Sequence, residues 1–335
     1  MTRHIYASFP GHEISMVVKI IVLHFSNPVF ILGLVFLNSD NTNMATNAHW
    51  FNHANTFVAT VDDTYPFISE VKEGFLDGKS VLVTGASRGI GLQTAIHFAK
   101  AGCSKIALAA RSPLTATKKA VEQASPSAQI MTLALDVSSP ESVRSAASQI
   151  QQAFGHLDIL INNAGHLSPF QPIGDSDPLA YLQTWEVNLN GTYLCTQAFL
   201  PLLLAPSSMK TIINVSSAGA NVVIPGASAY QVSKFALCRF TEFLDAEYAD
   251  QGLVVISMNP GGVKTQLALE MPGYMMPFLV DTVELAADTI VWLARERREW
   301  LRGRFVTATW KMDELELKKD EIVKRNLLKF RMAFE

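Results

Sequence analysis

From Lys79 to about residue 307 the chain alternates short apolar runs with amphipathic stretches of helical period, and this alternation limits the fold more than any other feature. Such a pattern implies consecutive βαβ units, in which parallel strands are covered by helices on both faces. The apolar runs predict seven strands, at residues 80–83, 106–110, 130–135, 157–162, 211–215, 254–258 and 304–307. An α/β fold with a doubly wound, seven-stranded parallel sheet is expected. One intervening helix is sharply marked. Ser139 is its N-cap, Pro140 sits in its first turn, and Val143, Ala146, Ala147, Ile150 and Phe154 recur on one face.

The chain is 335 residues long, 49% hydrophobic and 17% charged, which suits one large domain with extensions and lies far from the composition of disordered chains. Its formal net charge of −3, with no basic stripe, argues against a nucleic-acid partner. Cys103, Cys195 and Cys238 are odd in number and lack CxxC spacing, so they read as buried thiols in a reducing, cytoplasmic setting rather than as disulfides or a metal site.

Residues 16–37 are nearly apolar enough to span a bilayer but are interrupted by Lys19, His24, Ser26, Asn27 and Pro28. With Arg3 upstream and no small-residue cleavage site, a signal-anchor fits better than a cleaved leader. A floppy extension, or an upstream piece docked loosely on the domain, is the reading preferred over an anchor. Residues 39–60, rich in Asn, Thr and Ala, read as a linker. The expected organisation is an N-terminal extension over 1–62, a catalytic domain over 63–309 and a helical tail over 310–335, solvated or contacting another subunit.

After the first predicted strand comes Thr84-Gly85-Ala86-Ser87-Arg88-Gly89-Ile90-Gly91, followed by a helical run. Glycines in that place let the chain turn tightly, let backbone N–H groups approach a pyrophosphate, and let the helix pack close to the strand, as in a Rossmann dinucleotide site. An NAD(H) site usually has an acid at the end of the second strand, to bond the ribose 2′-hydroxyl. Here that strand ends Ala110-Arg111-Ser112. Arg111, with Arg88, could instead pair with a 2′-phosphate, which favours NADP(H) over NAD(H). Asp136, ending the third strand, is placed to accept from the adenine amino group or to cap the next turn.

Tyr230 and Lys234 stand at i and i+4 in a helix-like stretch, hence on one face. A phenol titrates near ~10 in water and needs a neighbouring cation to act as a base, the part assigned to Lys234. Tyr230 would donate a proton to a developing alkoxide while a nicotinamide delivers hydride, and take it back in oxidation. Ser217, chosen over Ser216 at the end of the fifth strand, would bond the substrate oxygen. Asn162 and Asn163 end the fourth strand. Asn188 interrupts a long predicted helix, either as a core polar group or as a relay holding a water against Lys234.

The set TGASRGIG, NNAG, Asn188, Ser217, YQVSK and Pro260-Gly261 closely resembles the short-chain dehydrogenase/reductase family over residues 79–307. The resemblance implies Asn188, Ser217, Tyr230 and Lys234 as catalytic tetrad. It also implies a dinucleotide held by Thr84, Gly85, Ser87, Arg88, Gly89, Ile90, Gly91, Arg111, Asp136, Val137, Asn163, Ala164, Gly165, Pro260, Gly261, Val263 and Thr265, together with Tyr230 and Lys234. A homo-oligomer, dimer or tetramer, and the absence of a metal are further expectations. Gly262 is an addition to the family's turn and reads as a source of mobility. The apolar stretch with Leu267, Leu269, Met271, Tyr274, Met275, Met276 and Phe278 could form a lid over a bulky apolar carbonyl or alcohol, with His166, Phe170 and residues 221–225 lining the same pocket. The chain is similar, more narrowly, to reductases encoded with fungal natural-product pathways. Rival readings are a membrane-tethered steroid or lipid reductase, and a catalytically idle NADP(H)-binding module.

Overall fold

The protein is described by a computed structural model over residues 2–7, 16–23, 30–31, 35–37, 57–70 and 74–332. Seven parallel strands form the central sheet: β1 Ser80–Thr84, β2 Lys105–Ala110, β3 Gln129–Ala134, β4 Ile159–Asn162, β5 Thr211–Val215, β6 Val254–Asn259 and β7 Arg304–Thr307. Their order is β7-β6-β5-β4-β1-β2-β3. The strand order reverses beside β1, and in such sheets the crevice at the carboxyl ends of the strands is where ligands bind. Each predicted strand is present within about two residues of its expected ends, as boundary uncertainty allows.

Alternate strand residues feed two apolar layers. Val81, Val83, Ile106, Leu108, Ile159, Ile161, Ile213 and Ile256 pack with α1 (Gly89–Lys100) and α7 (Val283–Arg295). Leu82, Ala107, Leu160, Ile212 and Val255 pack on the other face with α3 (Pro140–Phe154), α5 (Gly191–Leu203) and α6 (Ser228–Tyr248). The period of two sends neighbouring side chains to opposite layers, and full burial of each large aliphatic contributes roughly 1.5–3 kcal/mol. In α3 the Ser139 hydroxyl accepts from Ser142 N, and Val143, Ala146, Ile150 and Phe154 are buried, as the sequence predicts. The remaining helices are α2 (Thr115–Ala124) and the short α4 (Pro178–Trp185).

The carboxy-terminal segment differs from expectation. It forms two short helices, α8 (Met312–Leu317) and α9 (Lys319–Lys324), and turns back through positive φ at Asn326 and Leu328. Met312, Leu315 and Ile322 are fully buried, so this is core rather than a solvated helix. Phe305 N donates to Leu328 O at 2.8 Å, which covers the β7 edge of the sheet.

Within the apolar stretch 16–37, Met16–Leu23, Phe30–Ile31 and Val35–Leu37 are strands, with Met16–Leu23 paired antiparallel to Thr2–Ala7. The intervening residues, and most of the expected linker, lie outside the described ones. Among the described residues no helix is long and apolar enough to cross a membrane. From Phe57 onward the chain is fastened to the domain: Val61 N donates to Thr309 O at 2.8 Å and Lys311 N to Ala59 O at 2.8 Å.

Candidate active site

The loop after β1 has the shape a pyrophosphate cradle requires. Gly85 and Gly89 hold φ of +66° and +56°, in the region where side chains are disfavoured. A Cβ on Gly91 would meet Gly85 O at 2.4 Å and Asn163 Nδ2 at 2.5 Å. Only glycine allows that approach of helix to strand. Arg88, the N-cap residue of α1, is exposed and donates to Gln266 Oε1 at 3.2 Å. Ser87 O accepts from Thr117 Oγ1, and Ile90 rests on the core.

Asn163 locks this loop to the end of β4. Its Nδ2 donates to Thr84 O at 2.9 Å, while the Thr84 hydroxyl accepts from Asn163 N at 2.9 Å and Ala164 N at 3.0 Å. Asn162 points the other way, bonding Asn214 Oδ1 at 2.9 Å and Thr196 Oγ1 at 3.3 Å, and Asn214 Nδ2 reaches Thr241 Oγ1 at 2.9 Å. These buried amides stitch adjacent strands to helices. Both asparagines therefore secure the sheet edge.

Arg111, beyond β2, is exposed and lies close enough to Asp136 to help hold its carboxyl low. The larger cause is the Ser138 hydroxyl, which donates to Asp136 Oδ1 at 2.6 Å while Ser138 N donates to the same oxygen at 3.0 Å. Asp136 thus caps its turn. Buried Val137 packs against Gly191. Thr265 stands across the cradle, its methyl 3.3 Å from where a Gly89 Cβ would be, and Leu267 reaches within 3.8 Å of the corresponding point on Gly165. Pro260 and Gly261 follow β6 directly. A dinucleotide fits this shape: left-handed glycines, a close strand–helix contact and a nearby arginine without a competing acid at the end of β2.

The second half of the site is built on α6. Tyr230 lies in its first turn and Lys234 one turn later. The Tyr230 hydroxyl is hydrogen-bonded to Ser217, and the Lys234 ammonium stands 5.7 Å from the Tyr230 ring centroid while donating to Val215 O at 2.9 Å. Ser216 faces inward instead, donating to Lys234 O at 3.0 Å beside Cys238. Ser217 Oγ also accepts from Gly219 N at 3.0 Å.

Burial raises the Tyr230 phenol above its usual value, with the Ser217 hydrogen bond pulling the other way, and lowers the Lys234 ammonium to about 8. The expectation was that Lys234 would pull the phenol down. Desolvation is the larger cause, so the Tyr230 phenol carries its proton at neutral pH.

Asn188 occupies a π-helical segment, Glu186–Asn190, inserted between α4 and α5. The irregularity expected at this residue is real, and such insertions often mark functional sites. Its side chain is fully engaged: Oδ1 accepts from His166 N at 2.8 Å, and Nδ2 donates to His166 O at 3.0 Å and to Ser233 Oγ at 3.0 Å. Ser233 Oγ in turn donates to Tyr230 O at 2.7 Å. Asn188 therefore ties the residue after the NNAG turn to the backbone of Tyr230.

Around this centre, Gln231 Oε1 accepts from Ile224 N at 2.9 Å and Gln171 N donates to Gly226 O at 2.9 Å, which fixes the loop 221–226. Gln231 was not foreseen, because the signal, a polar residue next to Tyr230 on the helix, is too common to read. Leu269, Tyr274 and Phe278 of the expected lid are 55%, 45% and 38% exposed. Gly262 corrects its reading as a mobile element. A Cβ there would meet Phe278 O at 2.0 Å, so the glycine serves close packing.

Residues 79–272 match the family model described as short chain dehydrogenase. The chain is 48% identical over 279 residues to the short chain dehydrogenase mpl6 of Monascus purpureus, which takes in 82% of this chain and 95% of that protein. It is 41% identical over 281 residues to the short chain dehydrogenase pigC of Monascus ruber, covering 82% and 92%. Among solved structures, the 3-ketoacyl-(acyl-carrier-protein) reductase of Brucella melitensis, complexed with NADH, superposes with a TM-score of 0.63 at 26% identity, over 69% of this chain and 97% of that one. With that match spanning the glycine cradle, the NNAG turn and the Tyr230–Lys234 helix, the chain belongs to the short chain dehydrogenase family.

Proposed function

We propose that this protein is an NADP(H)-dependent oxidoreductase that interconverts a ketone and a secondary alcohol on an apolar substrate. The observation that carries the reading is the Tyr230 hydroxyl bonded to Ser217, with Lys234 beside the ring. These groups follow β5, and the next two strands across the sheet, β4 and then β1, end in the NNAG turn and the glycine cradle. A bound nicotinamide would supply hydride transfer. Ser217 Oγ orients the substrate oxygen. Tyr230, kept protonated by burial, donates its proton to the oxygen as charge develops there, and accepts it in the reverse direction. Lys234 offsets the phenolate that forms, Asn188 fixes the Tyr230 segment, and the relay expected at Asn188 would run through a water held against Lys234 rather than through its engaged side chain. The cradle residues of β1, with Arg111, would bind the dinucleotide, and NADP(H) is preferred because the end of β2 has an arginine in place of an acid.

The similarity to fungal short chain dehydrogenases supports a role in natural-product biosynthesis, with a polyketide- or terpenoid-like substrate, and a homo-oligomeric assembly. NADPH and NADH are titrated by fluorescence, and apolar ketones and alcohols are then assayed with wild type and Tyr230→Phe. Tight NADPH binding with turnover abolished in Tyr230→Phe is the expected result. Binding by wild type without any turnover favours the idle module, and failure to bind either dinucleotide refutes the proposal.

A further inference from the structure

The turn after β6 is held from outside the site. Gly261 has φ +90°, and a Cβ on it would meet Asp281 Oδ2 at 2.6 Å. Gly262 N donates to that same carboxylate oxygen, and Asp281 N returns a bond to Gly262 O at 3.1 Å. Val263 and Asp281 form an isolated parallel bridge. Asp281 therefore bonds both the N–H and the carbonyl of Gly262 and bridges Val263, and the missing side chain of Gly261 leaves room for its carboxylate.

The next residue is gripped in turn by the segment upstream of the domain. Thr282 N donates to Asp62 O at 2.9 Å and Thr282 Oγ1 to Asp63 Oδ1 at 2.8 Å, while Thr282 caps α7 through Leu285 N. Thr64 Oγ1 bonds Asp288 one turn into α7, and Arg295 Nη1 at its end donates to Glu70 O at 2.6 Å. Residues 61–70 thus run along α7 as a strap. The strap lies wholly outside residues 79–272, the part that matches the family model.

We propose that Asp281 is a positioning residue for the dinucleotide, fixing the Pro260–Thr265 turn in its binding conformation, and that the strap at Asp62–Asp63 sets where Asp281 stands. This rests on the reading above that the turn lines the cofactor. The physical reason is entropic: a turn with two adjacent glycines is costly to order, and a turn ordered before binding spares the ligand that cost. Burial raises the Asp281 carboxyl above its usual range and the nearby Asp62 adds to this, with the Gly262 N–H opposing.

The test compares full-length wild type, Asp281→Ala, Asp281→Asn and Asp63→Ala. Asp281→Ala removes the acceptor and should raise the NADPH Kd about tenfold, with kcat at saturating cofactor little changed. Asp281→Asn keeps an oxygen for Gly262 N and should bind within about threefold of wild type, and Asp63→Ala should fall between. Amide hydrogen exchange gives a second readout that needs no ligand. The peptide over residues 260–266 should exchange faster in Asp281→Ala but not in Asp281→Asn, while α1 stays protected in both. Unchanged exchange in that peptide overturns the proposal, as does an Asp281→Asn variant as impaired as Asp281→Ala. A wild type that binds no dinucleotide, yet shows the exchange pattern, refutes the functional reading and leaves the grip on the turn standing.

Discussion

Replacing Asn188 by alanine tests how the site is held together. Asn188 is 1% exposed, so the groups it leaves are screened from bulk solvent. Three hydrogen bonds would be lost, to His166 N, His166 O and Ser233 Oγ. At about 1 kcal/mol net for each, the variant should be about 3 kcal/mol less stable. For a domain of this size that corresponds to a fall of about 6–12 °C in Tm. Asn188→Asp is isosteric and keeps an acceptor for His166 N, but turns a second carboxylate oxygen toward the His166 carbonyl. It should be as destabilised as alanine at neutral pH and recover part of the loss in acid, where a protonated carboxyl can donate to that carbonyl. Urea unfolding with the m-value monitored measures both. An Asn188→Ala variant within about 1 kcal/mol of wild type at unchanged m refutes the reasoning, because the three bonds would then contribute almost nothing.

Two further expectations concern charge. Burial lowers the Lys234 ammonium from 10.5 to about 8, so the folded state is penalised while the lysine is charged. That penalty is full below pH 8 and is relieved as the folded protein loses the proton that the unfolded chain keeps up to 10.5. The stability of wild type minus that of Lys234→Met should therefore rise by up to about 3 kcal/mol between pH 7 and the unfolded value, and urea melts across that window showing a flat difference would contradict it. Arg88→Ala and Arg111→Ala should each weaken NADPH binding about tenfold while leaving NADH within about twofold, read by fluorescence titration. Equal losses for the two dinucleotides would remove the arginines from 2′-phosphate recognition.

The sheet was legible because parallel strands covered on both faces must be written as apolar runs, and β1, β5 and β6 are buried at every residue. Ser217 and Ser216 face opposite ways, Ser217 toward the Tyr230 hydroxyl and Ser216 toward Cys238, and alternation along a strand says only that two neighbours differ, not which one meets the site. Asn188 showed itself as a polar residue breaking an otherwise regular helix. What escaped has no local signature. Thr64 and Asp288 are 224 residues apart, and nothing near either announces the other. Gly262 read as freedom because a missing side chain looks the same in sequence whether it grants motion or makes room for Phe278 O. The tail read as a solvated helix because its charges outnumber the buried Met312, Leu315 and Ile322.

The π-helical insertion at Glu186–Asn190 also bears on the phase of the helices around it. Each residue added to a regular helix would turn everything after it by about 100°. A π turn instead takes up its extra residue locally, as a bulge, and Thr184 of α4 before it and Cys195, Phe199 and Leu202 of α5 after it are buried. Asn188 therefore stands on a residue that the flanking helices do not need in order to pack. Deleting a single residue there should restore a regular helix and remove the bulge that carries Asn188 while leaving the flanking faces on the core, so the irregular turn serves the candidate site more than the packing.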